Sequence, residues 1–467
     1  MSNVFEIPGP TSPLAVNLTQ RYLVVPSFTL ESGEELRNVP IAFKTWGELN
    51  SERNNAVLVC HPISGHADTA EWWSPLFGDG KVLDPSKYFV VSCNAIGSPY
   101  GSLSPLTRKG GEDIAADGTW TCSPHVHAPM EQDTQIWWGS DLPHSTIRDD
   151  VHLQKIVLDY LGIEQLALVT GGSMGGCTSL EWPLCYPVKQ PASDDALTKP
   201  FPSGSEPYVK AIAILAAPPH QSAWCISWCE IQRKTIEADT RYQNGHYLLR
   251  EPPNNGLAAA RMCALLTYRQ PHSFERRFSR LRGKENLSGA APKQEESQAS
   301  SLMEEGGDED DMGDVSSIKQ AQAREQYAVQ SYLHHHGAKF IQRFDANCYI
   351  HLSDKLDAYD VARDRNAWVQ KGTGDNDTLR SVLQYLGTSP VAPHVLIASV
   401  TSDMLYTPEE QQLMHECIPH SELVKVESAE GHDGFLIEYP QIAKAMQSFL
   451  DRIHLPHPAA TATAASS

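Results

Sequence analysis

The sequence predicts an α/β fold built on an open, mostly parallel sheet, into which a block of helices is inserted. Three observations carry that prediction. Short β-branched apolar runs alternate with amphipathic helical stretches up to about residue 219 and again from about residue 387. Between them, from 220 to 386, the strand signal disappears and helical spacing takes over. At one strand-to-helix junction, "LVTGGSMGGCTSLEW", Ser173 is fenced by glycines, as a crowded turn would require.

The elements follow in order. "NAVLVCH" and "KYFVVSCNAIG" are too short for core helices and are bounded by Gly, Pro or charge, so they read as buried strands. In "STIRDDVHLQKIVLDYLGI", Ile147, Val151, Leu158 and Leu161 recur at helical spacing. Ser145 or Thr146 is the N-cap there, and Asp149 and Asp150 lie near the positive end of the dipole. "EQLALVTGG" is a strand feeding the glycine turn and another helix, and "VKAIAILAAP" is one more buried strand. Within the insertion, "QSAWCISWCEIQRKTIEAD" sets Trp224, Trp228 and Ile231 on one helical face, and "NNGLAAARMCALLTYR" and "EQYAVQSYLHHHGAKFIQRF" also favour helix. The α/β pattern resumes with the strand "HVLIASVTSD". A helix capped by Thr407, Pro408 and Glu410 follows, then the strand "ELVKVES", the loop "AEGHDGF" and a terminal helix.

This gives a discontinuous core of residues 1–219 and 387–455 and a helical lid of residues 220–386. Residues 283–316 are rich in Ser, Gly, Ala and acid with little to bury, and are expected to be disordered, as is the tail 456–467.

Composition excludes several function classes. With 467 residues and 41% hydrophobic content the chain can bury a large core, and no window is long and apolar enough to span a membrane. Its 57 acidic against 37 basic residues, a net charge of −20, argue against nucleic acid or an anionic membrane as the main partner. The N-terminus has no targeting pattern, so cytoplasm is the expected location. Ten cysteines lie mostly within apolar runs, as buried thiols do. Cys225 and Cys229 have metal-like spacing but lack a second ligand pair, so no metal site is expected.

The chemistry centres on Ser173. Gly171, Ser173 and Gly175 fit G-x-S-x-G between a buried strand and a helix, a setting that exposes the hydroxyl above the sheet. A plain glycine turn would share the pattern, so the partners decide. A serine hydroxyl needs a base and a group to orient that base. Ser173, Asp403 and His432 follow the α/β-hydrolase order, Asp403 just past a strand and His432 in the loop beyond the next one. The backbone N–H of Met174 and, from the loop "CHPISGH", that of Ile63 are the candidate oxyanion donors.

The segments "FTLESGEELRNVPIAFKTWGELN", "NAVLVCHPISGHAD", "TIRDDV", "GGSMGG", "CEIQRKTI", "RFDANCY" and "EGHDGF", in order from Phe28 to Leu450, resemble the fungal homoserine O-acetyltransferase family of the α/β-hydrolase superfamily. The resemblance implies that acetyl-CoA, as co-substrate and with no resident cofactor, acetylates Ser173 with His432 as base. L-homoserine then takes the acetyl group, giving O-acetylhomoserine for methionine synthesis. It further implies that Arg233 holds the acceptor carboxylate, that Asp433 faces its ammonium group, and that the protein is a homodimer. One departure stands out: the family carries "HALT" where this chain has "HPIS" at His61–Ser64. Pro62 loses only its own N–H and leaves that of Ile63 available. The substitution keeps open L-serine or another hydroxylated acceptor, and succinyl-CoA as donor. An esterase and a non-catalytic binding protein are the readings outside this chemistry.

Overall fold

The computed structural model describes residues 4–115, 119–120, 136–189, 206–282, 327–368 and 375–453. The acidic stretch 283–316 and the tail 456–467, both expected to be disordered, lie outside the described residues.

The strands are β1 (Phe5–Ile7), β2 (Arg21–Thr29), β3 (Glu35–Trp46), β4 (Ala56–Cys60), β5 (Phe89–Cys93), β6 (Leu166–Gly172), β7 (Ala211–Leu215), β8 (His394–Val400) and β9 (Glu422–Val426). They form one nine-stranded sheet in the order β1-β2-β3-β5-β4-β6-β7-β8-β9. From β5 to β9 every neighbour is parallel, whereas β1, β2, β3 and β5 pair antiparallel. The parallel part matches the apolar runs read from sequence. The antiparallel edge does not, because β2 and β3 carry Pro26 and Pro40, residues that argue against a strand. Both lie where the ladder on one flank has run out: β1 reaches no further than Val24, and β5 ends with Cys93 opposite Phe43.

The helices used below are α1 (Ile147–Tyr160), α2 (Met174–Cys185), α3 (Ala223–Glu237), α4 (Asn254–Tyr268), α5 (Pro271–Arg277), α6 (Ala328–Phe340), α7 (Ala346–Asp357), α8 (Asp375–Thr388), α9 (Pro408–Cys417) and α10 (Tyr439–Ile453). Side chains alternate along a strand, so β4 feeds two cores. Ala56, Leu58 and Cys60 join residues of α1, α2 and the inserted helices, while Val57 and Val59 join Trp72, Trp73 and α10. Both faces of the parallel sheet are thereby covered, which explains why its strands read as continuous apolar runs.

β7 and β8 are adjacent in the sheet, yet α3 to α8 all lie between them in sequence. Buried charge ties these helices to the core. Lys355 of α7 is fully buried and donates from Nζ to both carboxylate oxygens of Asp150 in α1, at 2.8 and 2.7 Å, and to the carbonyl of Ile96. Arg365 and Arg148 meet the buried Glu181 of α2. Thr146 caps α1 as expected, but Asp150 is a tertiary anchor rather than a dipole partner.

The stripe of α3 also departs from expectation. Trp224 and Ile231 are 51% and 48% exposed, and the buried positions are Cys225, Gln232, Arg233 and Ile236. No helix among the described residues is long and apolar enough to cross a membrane.

Candidate active site

The site is assembled where β6, β8 and the loop after β9 end beside the inserted helices. Ser173 connects β6 to α2 with φ 57° and ψ −127°, a conformation that costs a non-glycine residue about 1–3 kcal/mol. The surrounding glycines have a different task from the one the sequence suggests: none of Gly171, Gly172, Gly175 and Gly176 has positive φ. They make space. A Cβ on Gly175 would lie 2.1 Å from the carbonyl oxygen of Cys60, and one on Gly172 would lie 2.3 Å from the Phe435 ring. The serine therefore bears the strain while the glycines let β4, α2 and Phe435 close around it.

Asp403 follows β8 in a turn that consumes both carboxylate oxygens. Oδ1 accepts the N–H groups of Leu405 and Tyr406 at 2.8 and 2.9 Å, and Oδ2 lies 2.6 Å from Nδ1 of His432. That contact leaves Nε2 of His432 as the free nitrogen, and it has no hydrogen-bond partner among the described residues. Burial pulls the imidazole pKa down. The Asp403 charge and hydrogen bond, helped by Asp433, outweigh burial and hold it above the ordinary value. Tyr406, Phe435 and Tyr268 surround the ring with centroids 5.2 to 6.0 Å away. The His432 loop is tied to the insertion through Glu430, which accepts from Arg269 (2.6 Å), Ser273 (2.7 Å) and Arg276 (2.7 Å).

Ser173 and His432 line one cleft of about 650 Å³, together with Ile63, Asp433, Arg261 and Arg269. Met174 is the first residue of α2, where a backbone N–H has no intrahelical acceptor. Ile63 sits in a tight turn, with the Gly65 N–H donating to the Pro62 carbonyl at 2.8 Å. His61 braces that turn: its Nε2 accepts from the Ala95 N–H and its Nδ1 lies 2.8 Å from the Pro62 carbonyl. Burial lowers its pKa to about 4, so the ring stays neutral and keeps both bonds.

Arg233 is placed differently from the other candidates. It is buried on α3, with Nη2 2.6 Å from Asp357 and 3.0 Å from Glu230 and Nη1 3.1 Å from Asp354, and it is not among the residues lining the cleft. Asp433 does line it, with Oδ2 3.1 Å from Nε of Arg269. Arg261 in the middle of α4 and Tyr268 and Arg269 at its C-terminal end are cleft residues that sequence reading passed over. "ARMCALLTYR" carries a helical period and no motif, so no local signal distinguishes them.

A serine and a histidine share one cleft, and the histidine is paired to a buried aspartate, which are the residue types that acyl transfer through a serine ester needs. Residues 55–439 match the family model for the alpha/beta hydrolase fold. A homoserine O-acetyltransferase of Gibberella fujikuroi is 39% identical over 95% of this chain and 91% of its own. One from Saccharomyces cerevisiae is 38% identical over 92% of this chain and 86% of its own. Among solved structures, a homoserine O-acetyltransferase from Bacillus anthracis aligns with TM-score 0.66 at 19% identity, covering 93% of this chain and 98% of that one. Esterase E22 aligns with TM-score 0.65 at 21% identity over 92% and 99%, so the structural likeness shows the fold and the sequence likeness the family. The chain belongs to the homoserine O-acetyltransferase family of α/β hydrolase-fold proteins.

Proposed function

We propose that the protein transfers an acetyl group from acetyl-CoA to the hydroxyl of L-homoserine through an ester on Ser173, giving O-acetyl-L-homoserine for methionine synthesis. The observation that carries this reading is the His432–Asp403 pair, 2.6 Å apart, sharing a cleft with the strained Ser173 in a chain of this family. Nε2 of His432 takes the proton of Ser173 as Oγ attacks the thioester carbonyl, and the N–H groups of Ile63 and Met174 receive the oxyanion. The intermediate collapses, the C–S bond breaks, and CoA leaves as the thiol with the proton from His432. The acceptor hydroxyl then gives its proton to Nε2 and attacks the ester, and Ser173 Oγ recovers that proton on leaving. Acetyl-CoA is a co-substrate, and the scheme calls for neither a bound cofactor nor a metal. The family resemblance supports a homodimer working in the cytoplasm.

A second reading, with L-serine or another hydroxylated acceptor or with succinyl-CoA as donor, is favoured by one observation. Pro62, Ile63 and Ser64, where the sequence departs from the family, line the cleft. Mass spectrometry after acetyl-CoA alone tests the shared chemistry: an acetyl group on Ser173 is expected, and none in Ser173→Ala. Thiol release with a panel of acceptors and donors then separates the two readings. Hydrolysis of acetyl-CoA as fast as transfer to any acceptor would point to an esterase instead.

A further inference from the structure

The turn that carries Ile63 is held from behind by His61, which is 3% exposed and is not among the residues lining the cleft. Its neighbours dictate its tautomer. Nε2 faces the Ala95 N–H at 2.9 Å, and an N–H can only donate, so the ring proton sits on Nδ1 and is given to the Pro62 carbonyl, 2.8 Å away. The Ala95 N–H is itself fixed. Ser102 Oγ donates to the Asn94 carbonyl of the same peptide at 2.7 Å, and the next peptide donates its Ile96 N–H to the buried Asp150 at 2.7 Å.

A second donor, the Gly65 N–H at 2.8 Å, meets the same Pro62 carbonyl. The Pro62–Ile63 peptide is trans, so its C=O and N–H point in opposite directions. With the carbonyl drawn back by two donors, the N–H of Ile63 is turned the other way, and it meets no acceptor among the described residues. Pro62, Ile63 and Ser64 line the cleft with Ser173 and His432. We infer that His61 is a positioning residue: by holding the Pro62 carbonyl it aims the Ile63 N–H at the oxyanion that forms when Ser173 is acylated. The inference rests on the proposed ester chemistry at Ser173. His61 is no second base, since both ring nitrogens are taken and the residue does not line the cleft.

The test separates the two ring nitrogens. The amide nitrogen of asparagine falls near the place of Nδ1 and that of glutamine near the place of Nε2, while leucine keeps the bulk and neither polar atom. At saturating acetyl-CoA, acetylation of Ser173 should slow by roughly a hundred- to a thousandfold in His61→Leu, the range for a lost oxyanion donor, and about as much in His61→Gln. His61→Asn should stay within roughly tenfold of wild type, and the affinity for CoA, measured by calorimetry, should change by less than about threefold in all three. Propylboronic acid gives a reading without acetyl-CoA: Ser173 Oγ bonds to boron, its proton passes to His432, and the tetrahedral anion stands in for the oxyanion. Its dissociation constant should weaken more than about tenfold in the leucine and glutamine variants and stay near wild type in the asparagine variant. A leucine variant that acetylates at the wild-type rate, a glutamine variant that outperforms asparagine, or a slowed rate with boronate affinity intact overturns the inference. Should His61→Leu fail to fold, His61→Asn and His61→Gln carry the same comparison. A wild type that binds the boronate yet takes no acetyl group from acetyl-CoA overturns the proposed donor instead, and the boronate series still decides the role of His61.

Discussion

At the scale of single residues, the site is a set of exchanges between strain, charge and space. In the proposed mechanism His432 must be neutral to accept the serine proton, and its folded-state pKa is raised because Asp403 outweighs burial. Protonation below that pKa removes the base, so the rate of Ser173 acetylation should fall on the acidic side with a midpoint above 6.5, the ordinary imidazole value. Asp403→Asn should move that midpoint to lower pH and reduce the plateau about a hundredfold or more. A pre-steady-state pH profile of acetylation checks both signs, and an unmoved midpoint would exclude Asp403 as the cause. Ser173, Asp403 and His432 were legible in the sequence because each sits where a strand ends, a position that apolar runs mark clearly. Arg261 was not, since nothing in a helical period says which residue will meet a cleft built from distant chain. Arg233 illustrates the same gap: its motif is readable, but the acids of α7 that claim it lie more than a hundred residues away.

At the scale of elements, the inserted helices are clamped rather than hinged at their inner side. Lys355 and Asp150 are both fully buried, so removing one leaves the other charge stranded. Lys355→Met should destabilise the protein by about 3–5 kcal/mol, read as a lower denaturation midpoint with unchanged slope. The companion change Asp150→Asn in the same chain should recover part of the loss, since no bare carboxylate remains. Equal losses in the single and double variants would show that the pair contributes only packing. The parallel strands were legible because two-sided burial makes their runs continuous. The antiparallel edge was hidden by Pro26 and Pro40, and the outward turn of α3 by the fact that a periodic stripe identifies a face without saying what covers it.

At the scale of the whole molecule, that outward face meets the expectation of a homodimer. Trp224, Ile231, Leu266 and Met404 are all large apolar residues exposed on a protein with net charge −20. If this face pairs two subunits, Trp224→Glu combined with Ile231→Glu should yield a monomer by size-exclusion chromatography with light scattering, while wild type runs as a dimer. A monomeric wild type at micromolar concentration would remove the face as an interface.

The adjacency of β7 and β8 across residues 216–393 has a consequence for how the protein comes into being. Ser173 belongs to the first half of the chain, while His432 follows two strands whose places in the sheet must wait for the whole helical excursion to be made. Contacts of such long sequence separation form late, because the intervening chain must be ordered before they return any stabilisation. On the ribosome, a polypeptide that has emerged only through α8 can already hold Ser173 on its turn, yet it has no histidine to activate it. Under the proposed mechanism reactivity is thus the last property this fold acquires, and a partly made chain would leave its acyl donor untouched.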